Sequence, residues 1–174
     1  MNSGIRVIRI SNVQRGEIID KQPVFYPSDT SEIEKFLLKE GDILMSLTGE
    51  VGRVGLLPKE LLPAALNQRV ACLRERDSSV ISHKYLFLYL NTDKFCEDCN
   101  TFANDGLGRN NLSTEWLKLY PLPLPPIEIQ QQVVSECQKV DEEYQTSRMS
   151  IEEYRKKIAQ VFENLQVVGG GVRD

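Results

Sequence analysis

The chain has 174 residues, of which 41% are hydrophobic and 26% are charged, and its formal net charge is −4. This length predicts one domain, or one domain with an appendage, and the composition is that of a chain with a buried core. A membrane span is excluded because no run of about 18 apolar residues occurs, and the N-terminus lacks the layout of a signal peptide. Four scattered cysteines are too few for a disulfide framework, so the sequence predicts a reduced, cytoplasmic protein.

Most of the negative charge belongs to the C-terminal segment. Residues 1–126 carry 15 basic and 16 acidic side chains, whereas residues 127–174 carry 6 and 9. A stand-alone polyanion-binding protein needs clustered cations, and the front part of this chain is nearly neutral. Any affinity for nucleic acid must therefore come from local geometry or from a partner.

The first half of the chain predicts short strands separated by turns. Residues 5–10 form a strand that leads into a turn at Arg15-Gly16, and residues 31–39 form a short capped helix ended by Gly41. Residues 42–47 and 53–57 are two strands joined by a glycine-containing turn. Residues 65–73 are predicted as one further strand.

Helices follow. The apolar run that begins at Tyr85 predicts a buried helix of about fifteen residues. After a polar loop, Ser113 is expected to cap a short helix that extends through Trp116. The proline-rich stretch 120–126 cannot be helical and is expected to be an extended bridge.

A heptad pattern beyond this bridge predicts one uninterrupted helix over 127–168, followed by a flexible tail, 169–174. Spacings alternate between four and three residues, and only Ser147 breaks the apolar series. Such a helix would have about 40 residues and a length of about 60 Å, so its seam needs a second helix. Two copies are expected to pair through this seam as an antiparallel coiled coil. The seam consists of Val133, Cys137, Val140, Tyr144, Ile151, Tyr154, Ile158, Val161, Leu165 and Val168.

No convincing catalytic or metal-binding set is present, so the sequence predicts neither an enzyme nor a cofactor. The spacing of Gly49, Gly52 and Gly55 favours a tight β-turn over a phosphate-binding loop. Cys96 and Cys99 form a single C-x-x-C pair, and His83 is the only histidine, which disfavours a zinc site and a catalytic triad.

Loops rich in Arg, Asn, Gln, Ser and Thr are the candidate functional feature. Arginine pairs with guanine, asparagine and glutamine pair with adenine, and hydroxyl groups suit phosphates. Composition alone is equally compatible with ordinary polar turns, and a structural hydrogen bond is the favoured role of Asn67. The candidate DNA-contact residues are Arg15, Lys21, Ser46, Thr48, Gly49, Arg53, Asn67, Gln68, Arg69, Arg109, Asn110, Asn111 and Ser113.

The order of five short segments resembles the specificity subunits of type I restriction–modification systems. These segments are Gly41-Asp42-Ile43-Leu44, Thr48-Gly49 with Gly52, Leu66-Asn67-Gln68-Arg69, Gly106 with Asn111-Leu112-Ser113, and Leu122-Pro123-Leu124-Pro125-Pro126-Ile127-Glu128-Ile129-Gln130. The resemblance covers residues 5–168. It implies an α+β fold, with a DNA target-recognition domain over 1–126 that has a curved, mainly antiparallel sheet, followed by a spacer helix.

The resemblance also implies function and partners. The domain would read one half of a bipartite site in double-stranded DNA, and the helix would dock adenine-N6 methyltransferase subunits and, through them, the restriction subunit. Family members usually carry two such domains and two helices, so this chain is expected to be a half-subunit or a C-terminal fragment. Two alternatives remain open: the recognition end of a single-chain restriction–methylation enzyme, and a coiled-coil protein-interaction module that does not bind DNA.

Overall fold

The computed structural model describes residues 4–27, 31–103, 110–146 and 149–167. It contains strands and helices in a mixed order, which confirms the α+β class. The strands are β1 (Ile5–Ile8), β2 (Gly16–Glu17), β3 (Phe25–Tyr26), β4 (Ile43–Ser46), β5 (Val54–Leu56), β6 (Ala64–Leu66) and β7 (Val70–Leu73). The helices are α1 (His83–Leu90), α2 (Asp93–Ala103), α3 (Thr114–Leu119), α4 (Ile127–Thr146) and α5 (Ile151–Asn164).

The chain forms two compact units. The first comprises Met1–Arg74 and Phe95–Leu119, and the second comprises Glu75–Lys94 and Tyr120–Asp174. The predicted domain boundary at residue 126 stays a prediction, and these units divide the chain at other positions. Within the part of the chain that is described, no helix is both long enough and apolar enough to cross a membrane.

Two small sheets form the framework of the first unit, where one curved sheet was expected. The three-stranded sheet has the order β3-β1-β6, and the four-stranded sheet has the order β2-β5-β4-β7. Three of the strand pairs are antiparallel, whereas β1–β6 and β2–β5 are parallel. The pairing is therefore mainly antiparallel, as predicted. Apolar side chains from both sheets and from the turns beside them form one buried cluster: Ile8, Val13, Ile18, Leu44, Leu57, Ala64 and Val70.

The single strand predicted over 65–73 is wrong, because the chain turns at Asn67 and changes sheet. β6 pairs with β1, whereas β7 pairs with β4. The Asn67 side-chain oxygen accepts a hydrogen bond from the Arg69 amide (3.2 Å), and its carbonyl accepts one from the Val70 amide (3.0 Å). Asparagine forms such local turns readily, so a polar residue inside an apolar run marked a break.

Two other helix predictions also need correction. Residues 31–36 form a 3-10 helix (Ser31–Phe36), which is shorter than the helix expected over 31–39. The helix expected from Tyr85 is two helices, α1 and α2, that meet at residues 91–92. Ser113 does cap α3 as predicted, because its hydroxyl accepts a hydrogen bond from the Trp116 amide at 3.1 Å.

The C-terminal segment has a long helix, α4, but the uninterrupted helix predicted over 127–168 is wrong. α5 begins anew after Ser150, whose hydroxyl accepts a hydrogen bond from the Glu153 amide (3.2 Å) while the Glu153 carboxylate accepts one from the Ser150 amide (3.0 Å). This capping box stabilises a helix N-terminus. α4 and α5 contact each other, and the Tyr144 and Tyr154 rings lie 5.0 Å apart.

Several residues of the predicted seam are buried inside the second unit of the single chain. On α4, Val133, Cys137 and Val140 are buried, and on α5 the buried residues are Ile158 and Phe162. Ile158 and Phe162 are four residues apart and therefore lie on the same face of α5. Ile151 is 42% exposed on the single chain, and its predicted place in the seam stays a prediction. Val161 and Leu165 are half-buried, as are Tyr144 and Tyr154, and Ser147, Val168 and the tail lie outside the described residues.

Gln130, the last residue of the proline-rich motif, forms side-chain hydrogen bonds with two other segments of the second unit. Its side chain is fully buried, and its oxygen accepts a hydrogen bond from the Ser82 amide at 2.8 Å. Its amide nitrogen donates to the carbonyls of Val80 (2.8 Å) and Pro125 (2.9 Å). A buried polar group is stable only when it is hydrogen-bonded, so this glutamine fixes the start of α1 against the bridge that leads into α4.

Candidate nucleic-acid interface

One end of the four-stranded sheet brings together residues that are far apart in the sequence. β4 is antiparallel to β5 and β7, and β2 is parallel to β5. The starts of β2, β5 and β7 therefore lie at the same end of the sheet as the end of β4. Arg15, Arg53 and Arg69 directly precede those three strands, and Leu47 and Thr48 follow β4. The fold thus places three predicted contact arginines in one row.

A surface concavity of about 700 Å³ lies at this end of the sheet, beside β4 and β7. We call it the polar concavity. Main-chain hydrogen bonds join its three segments: Leu47 donates to the Arg69 carbonyl (3.1 Å), Leu112 donates to the Leu47 carbonyl (2.8 Å), and Gly49 donates to the Asn110 carbonyl (3.0 Å). Its lining residues are Leu47, Thr48, Gly49, Gln68, Arg69, Asn110, Asn111 and Leu112.

The side chains of the polar concavity are held by local contacts. The Thr48 hydroxyl donates to the side-chain oxygen of Asn111 at 3.0 Å. Gln68 and Arg69 are exposed at the tip of the turn that Asn67 shapes. Gly49 has φ +75°, a left-handed conformation that glycine adopts without strain. Six of the thirteen predicted contact residues therefore line one surface, and only one of the six is charged.

A second concavity, of about 570 Å³, lies next to the start of β2. We call it the cationic concavity. It includes the predicted contact residues Arg15 and Lys21. Arg53, which precedes β5, contacts the edge of the cationic concavity: its guanidinium donates to the Gln14 side chain at 3.2 Å and also pairs with Glu50. Its lining residues are Arg9, Ser11, Asn12, Gln14, Arg15, Glu17, Ile19, Lys21 and Gln22.

Three predicted contact residues have structural roles in this fold. Ser46 is 1% exposed, and its hydroxyl donates to the Glu50 carbonyl at 2.6 Å and accepts from the Arg53 amide at 3.1 Å. It stabilises the turn between β4 and β5 and does not belong to the surface. Asn67 shapes the turn between β6 and β7, and Ser113 caps α3. Arg109 lies outside the described residues.

The residues missed by the sequence interpretation are Arg9, Gln14 and Gln22 in the cationic concavity. Arg9 follows the apolar residues of β1, so its place in the run suggested a strand residue. The turn after β1 that brings it beside Lys21 has no glycine or proline signal at that point. The signal in the sequence that could have identified this loop is the charged Arg9 at the end of a strand, followed by the polar pair Ser11-Asn12.

Three of the four cysteines, Cys72, Cys99 and Cys137, are neutral thiols in this environment. Burial raises the pKa of Cys99 and that of Cys137 to about 12, and burial together with the Asp42 carboxylate raises that of Cys72 to about 11. Cys99 packs under the turn between β4 and β5, where it lies close to Gly52. Among the described residues, no group of three or more histidine, cysteine or acidic side chains is arranged to hold a metal ion.

Comparison with known proteins places the chain in a family. A family model described as the type I restriction modification DNA specificity domain matches residues 1–153. The specificity subunit of the type I restriction enzyme EcoAI from Escherichia coli is 30% identical over 148 residues, which are 82% of this chain and 24% of that subunit. The MjaVIII specificity subunit from Methanocaldococcus jannaschii is 27% identical over 164 residues, 90% of this chain and 38% of that protein.

Two solved structures have a similar fold. A chain from a study of complex assembly and conformational transition of the type I R-M system has a TM-score of 0.61 and 18% identity, over 95% of this chain and 37% of its own length. The HsdS subunit from Thermoanaerobacter tengcongensis has a TM-score of 0.58 and 17% identity, over 94% of this chain and 40% of its own length. The chain thus spans well under half the length of these relatives. The family match confirms the resemblance seen in the sequence: the chain belongs to the type I restriction modification DNA specificity domain family.

Proposed function

We propose that this chain recognises a specific DNA sequence by means of the polar concavity, as one half of the recognition apparatus of a type I restriction–modification complex, without catalysis of its own. The observation that supports this proposal is the convergence of Thr48-Gly49, Gln68-Arg69 and Asn110-Asn111 on one surface. These segments are separated by about 20 and 40 residues, and the sheet end brings them together.

The chemistry of the polar concavity suits base edges in the major groove. Arginine forms two hydrogen bonds with guanine, and asparagine or glutamine forms two with adenine. Amide groups dominate this surface, and Arg69 is its single cation. A mainly neutral surface would discriminate between bases through directional hydrogen bonds, whereas phosphate contacts would add affinity for any sequence.

Selection from a random-sequence duplex pool tests the proposal. The purified chain, alone and together with co-expressed methyltransferase subunits, is expected to enrich one short motif over successive rounds. Gln68→Ala and Arg69→Ala should each reduce discrimination between the motif and its single-base variants by ~1–3 kcal/mol, because a base-reading side chain is lost. Arg155→Ala, at an exposed position of α5, is the matched control and should leave the motif unchanged. A pool that stays random in both arms would contradict the proposal and favour a protein-interaction module.

The proposed partners follow from the family. Double-stranded DNA is the proposed ligand, and methyltransferase subunits, with the restriction subunit bound through them, are the proposed protein partners in the cytoplasm. We expect the isolated chain to show no methyl transfer from S-adenosylmethionine, no DNA cleavage and no ATP hydrolysis. Incubation with DNA and each cosubstrate in turn checks this, and turnover by the purified chain would contradict the non-catalytic assignment.

Pairing of two copies through the C-terminal helices is also part of the proposal. Two recognition domains related by a twofold axis would read an inverted repeat with an unread spacer. Because α5 packs on α4 within the chain, less apolar surface is left for a second copy than an open seam would offer. Sedimentation at micromolar concentration measures the oligomeric state, and a monomer at all concentrations would exclude this homodimer.

A further inference from the structure

The cationic concavity has a charge pattern that differs from that of the polar concavity. Arg9, Arg15 and Lys21 contribute three positive charges, and Glu17 contributes one negative charge. The remaining lining residues are neutral. The neighbouring acid Asp20 is 1% exposed at its side chain and is already paired with Arg6. The concavity therefore has a net charge of +2 in a unit whose 12 basic and 13 acidic side chains sum to −1.

Asn12 holds the loop around this concavity in a fixed shape. Its side chain is 3% exposed, and its oxygen accepts a hydrogen bond from the Arg9 amide at 2.8 Å. Its amide nitrogen donates to the Ile19 carbonyl and to the Asp20 carboxylate, both at 3.0 Å. One buried amide thus ties the start of the loop to its end, which keeps Arg9 and Lys21 on the same concavity. Preorganisation of this kind reduces the entropy lost when a ligand binds.

Arg9 is the central cation of this arrangement. One of its terminal nitrogens donates to the Gln22 carbonyl at 2.7 Å, and this bond orients the guanidinium across the loop. Its Nε is buried and has no hydrogen-bond partner among the described residues. A guanidinium offers five N–H donors in a planar fork that matches the oxygens of a phosphate. An unpaired buried donor on a charged group calls for a functional explanation.

The position of the cationic concavity relates it to the polar concavity. Arg15 precedes β2 at one edge of the four-stranded sheet, and Arg69 precedes β7 at the other edge. Three strand spacings of about 4.8 Å separate these edges, a distance of about 14 Å. The major groove of B-DNA is about 12 Å wide. The sheet is therefore wide enough for its β2 edge to reach a phosphate row that borders the groove when Gln68 and Arg69 face the base edges.

We propose that the cationic concavity binds backbone phosphates of the same DNA duplex whose bases contact the polar concavity, with Arg9 and Lys21 as its principal phosphate ligands. This inference rests on the proposed function and assigns a separate task to a separate surface. The cationic concavity supplies affinity and orientation for any sequence, whereas the polar concavity supplies discrimination.

The salt dependence of DNA binding tests this division. Fluorescence anisotropy with a labelled mixed-sequence duplex is measured for the wild type, Arg9→Gln, Lys21→Gln and the control Arg155→Gln at a series of salt concentrations. Each of the first two variants is expected to weaken binding roughly three- to tenfold at low salt and to reduce the slope of log K against log[salt] by about 0.9, because one phosphate contact is lost. Arg155→Gln should match the wild type. Lys21 is exposed and lies outside the Asn12 network, so its variant tests the charge without disturbing the fold.

Three outcomes separate the two proposals. Equal losses on the selected motif and on scrambled duplexes, with a reduced salt slope, would support phosphate binding. An unchanged slope in both Arg9→Gln and Lys21→Gln, while the wild type still prefers its motif, would overturn the inference and leave the proposed function standing. A wild type that binds no duplex even at the lowest salt would instead overturn the proposed function itself.

Discussion

Replacement of Gln130 by methionine should destabilise the second unit strongly. Methionine has a similar volume and fills the same space, but it removes three hydrogen bonds, to Ser82, Val80 and Pro125. Each such bond contributes about 0.5–1.5 kcal/mol, and a buried group left without a partner costs about 1–3 kcal/mol. Because Gln130 is fully buried, we expect a loss of about 3–4 kcal/mol in the free energy of unfolding.

Urea denaturation followed by far-ultraviolet circular dichroism measures this loss. Gln131→Met is the matched control, since Gln131 is the adjacent, exposed residue of the same helix, and it should change stability by less than about 0.5 kcal/mol. The slope of the unfolding free energy against urea should stay the same in both variants. If Gln130→Met and Gln131→Met unfold at the same urea concentration, the three hydrogen bonds do not stabilise this unit and the reasoning is wrong.

Three further predictions concern the two units. Gly52→Ala should destabilise the first unit by about 2–4 kcal/mol, because Gly52 has φ +77° and a Cβ there would lie 2.9 Å from the Cys99 Cβ. Gly41 has a similar φ of +78°, but a Cβ there would meet no heavy atom within 4 Å among the described residues. Gly41→Ala should therefore lose only the part of this stability that comes from the backbone conformation, as measured in the same urea titration. Burial raises the pKa of Asp42, but hydrogen bonds from Arg74 (2.7 and 2.5 Å) and from the Lys39 amide (2.8 Å) outweigh burial and hold the pKa below its ordinary value. Asp42 therefore stabilises the fold above its unfolded pKa of about 3.9, and this contribution is lost as pH falls through the lower folded pKa. The difference in unfolding free energy between the wild type and Asp42→Asn should shrink below pH ~4, and a difference independent of pH would contradict this account. Ile158→Asp places a charge at a buried position of α5 and should lower the free energy of unfolding by about 3–5 kcal/mol, whereas Ile158→Leu should lower it by less than about 1.5 kcal/mol. Thermal unfolding of both variants checks this, and similar melting temperatures would contradict it.

Sequence patterns predicted the strands of the first unit correctly where a short apolar run is followed by a clear turn signal. β4, the glycine-containing turn and β5 are examples, because Gly49 and Gly52 require left-handed backbone conformations that few other residues adopt. The patterns failed where one polar side chain ends an element. Asn67 divides an apolar run into two strands of different sheets, and the Ser150–Glu153 capping box starts a new helix inside a heptad series that continues across it.

The candidate site was predictable only in part, for a related reason. Composition identified the polar loops, but it does not decide whether a hydroxyl or amide faces solvent or the main chain. Ser46 and Thr48 lie two residues apart, yet Ser46 is buried against the Glu50 carbonyl, whereas Thr48 lines the polar concavity. The convergence of residues 48, 68 and 111 depends on strand order, which no local pattern encodes.

The main-chain hydrogen bonds that join the three segments of the polar concavity have an evolutionary consequence. Leu47 to Arg69, Leu112 to Leu47 and Gly49 to Asn110 are all backbone pairs, so the surface keeps its shape whichever side chains project from it. Gln68, Arg69 and Asn111 can therefore change identity at little cost in folding free energy, since exposed substitutions usually alter stability by less than about 0.5 kcal/mol. Under the proposed function, such a surface would let a new target sequence arise by a few point mutations, while the buried framework beneath it stays the same.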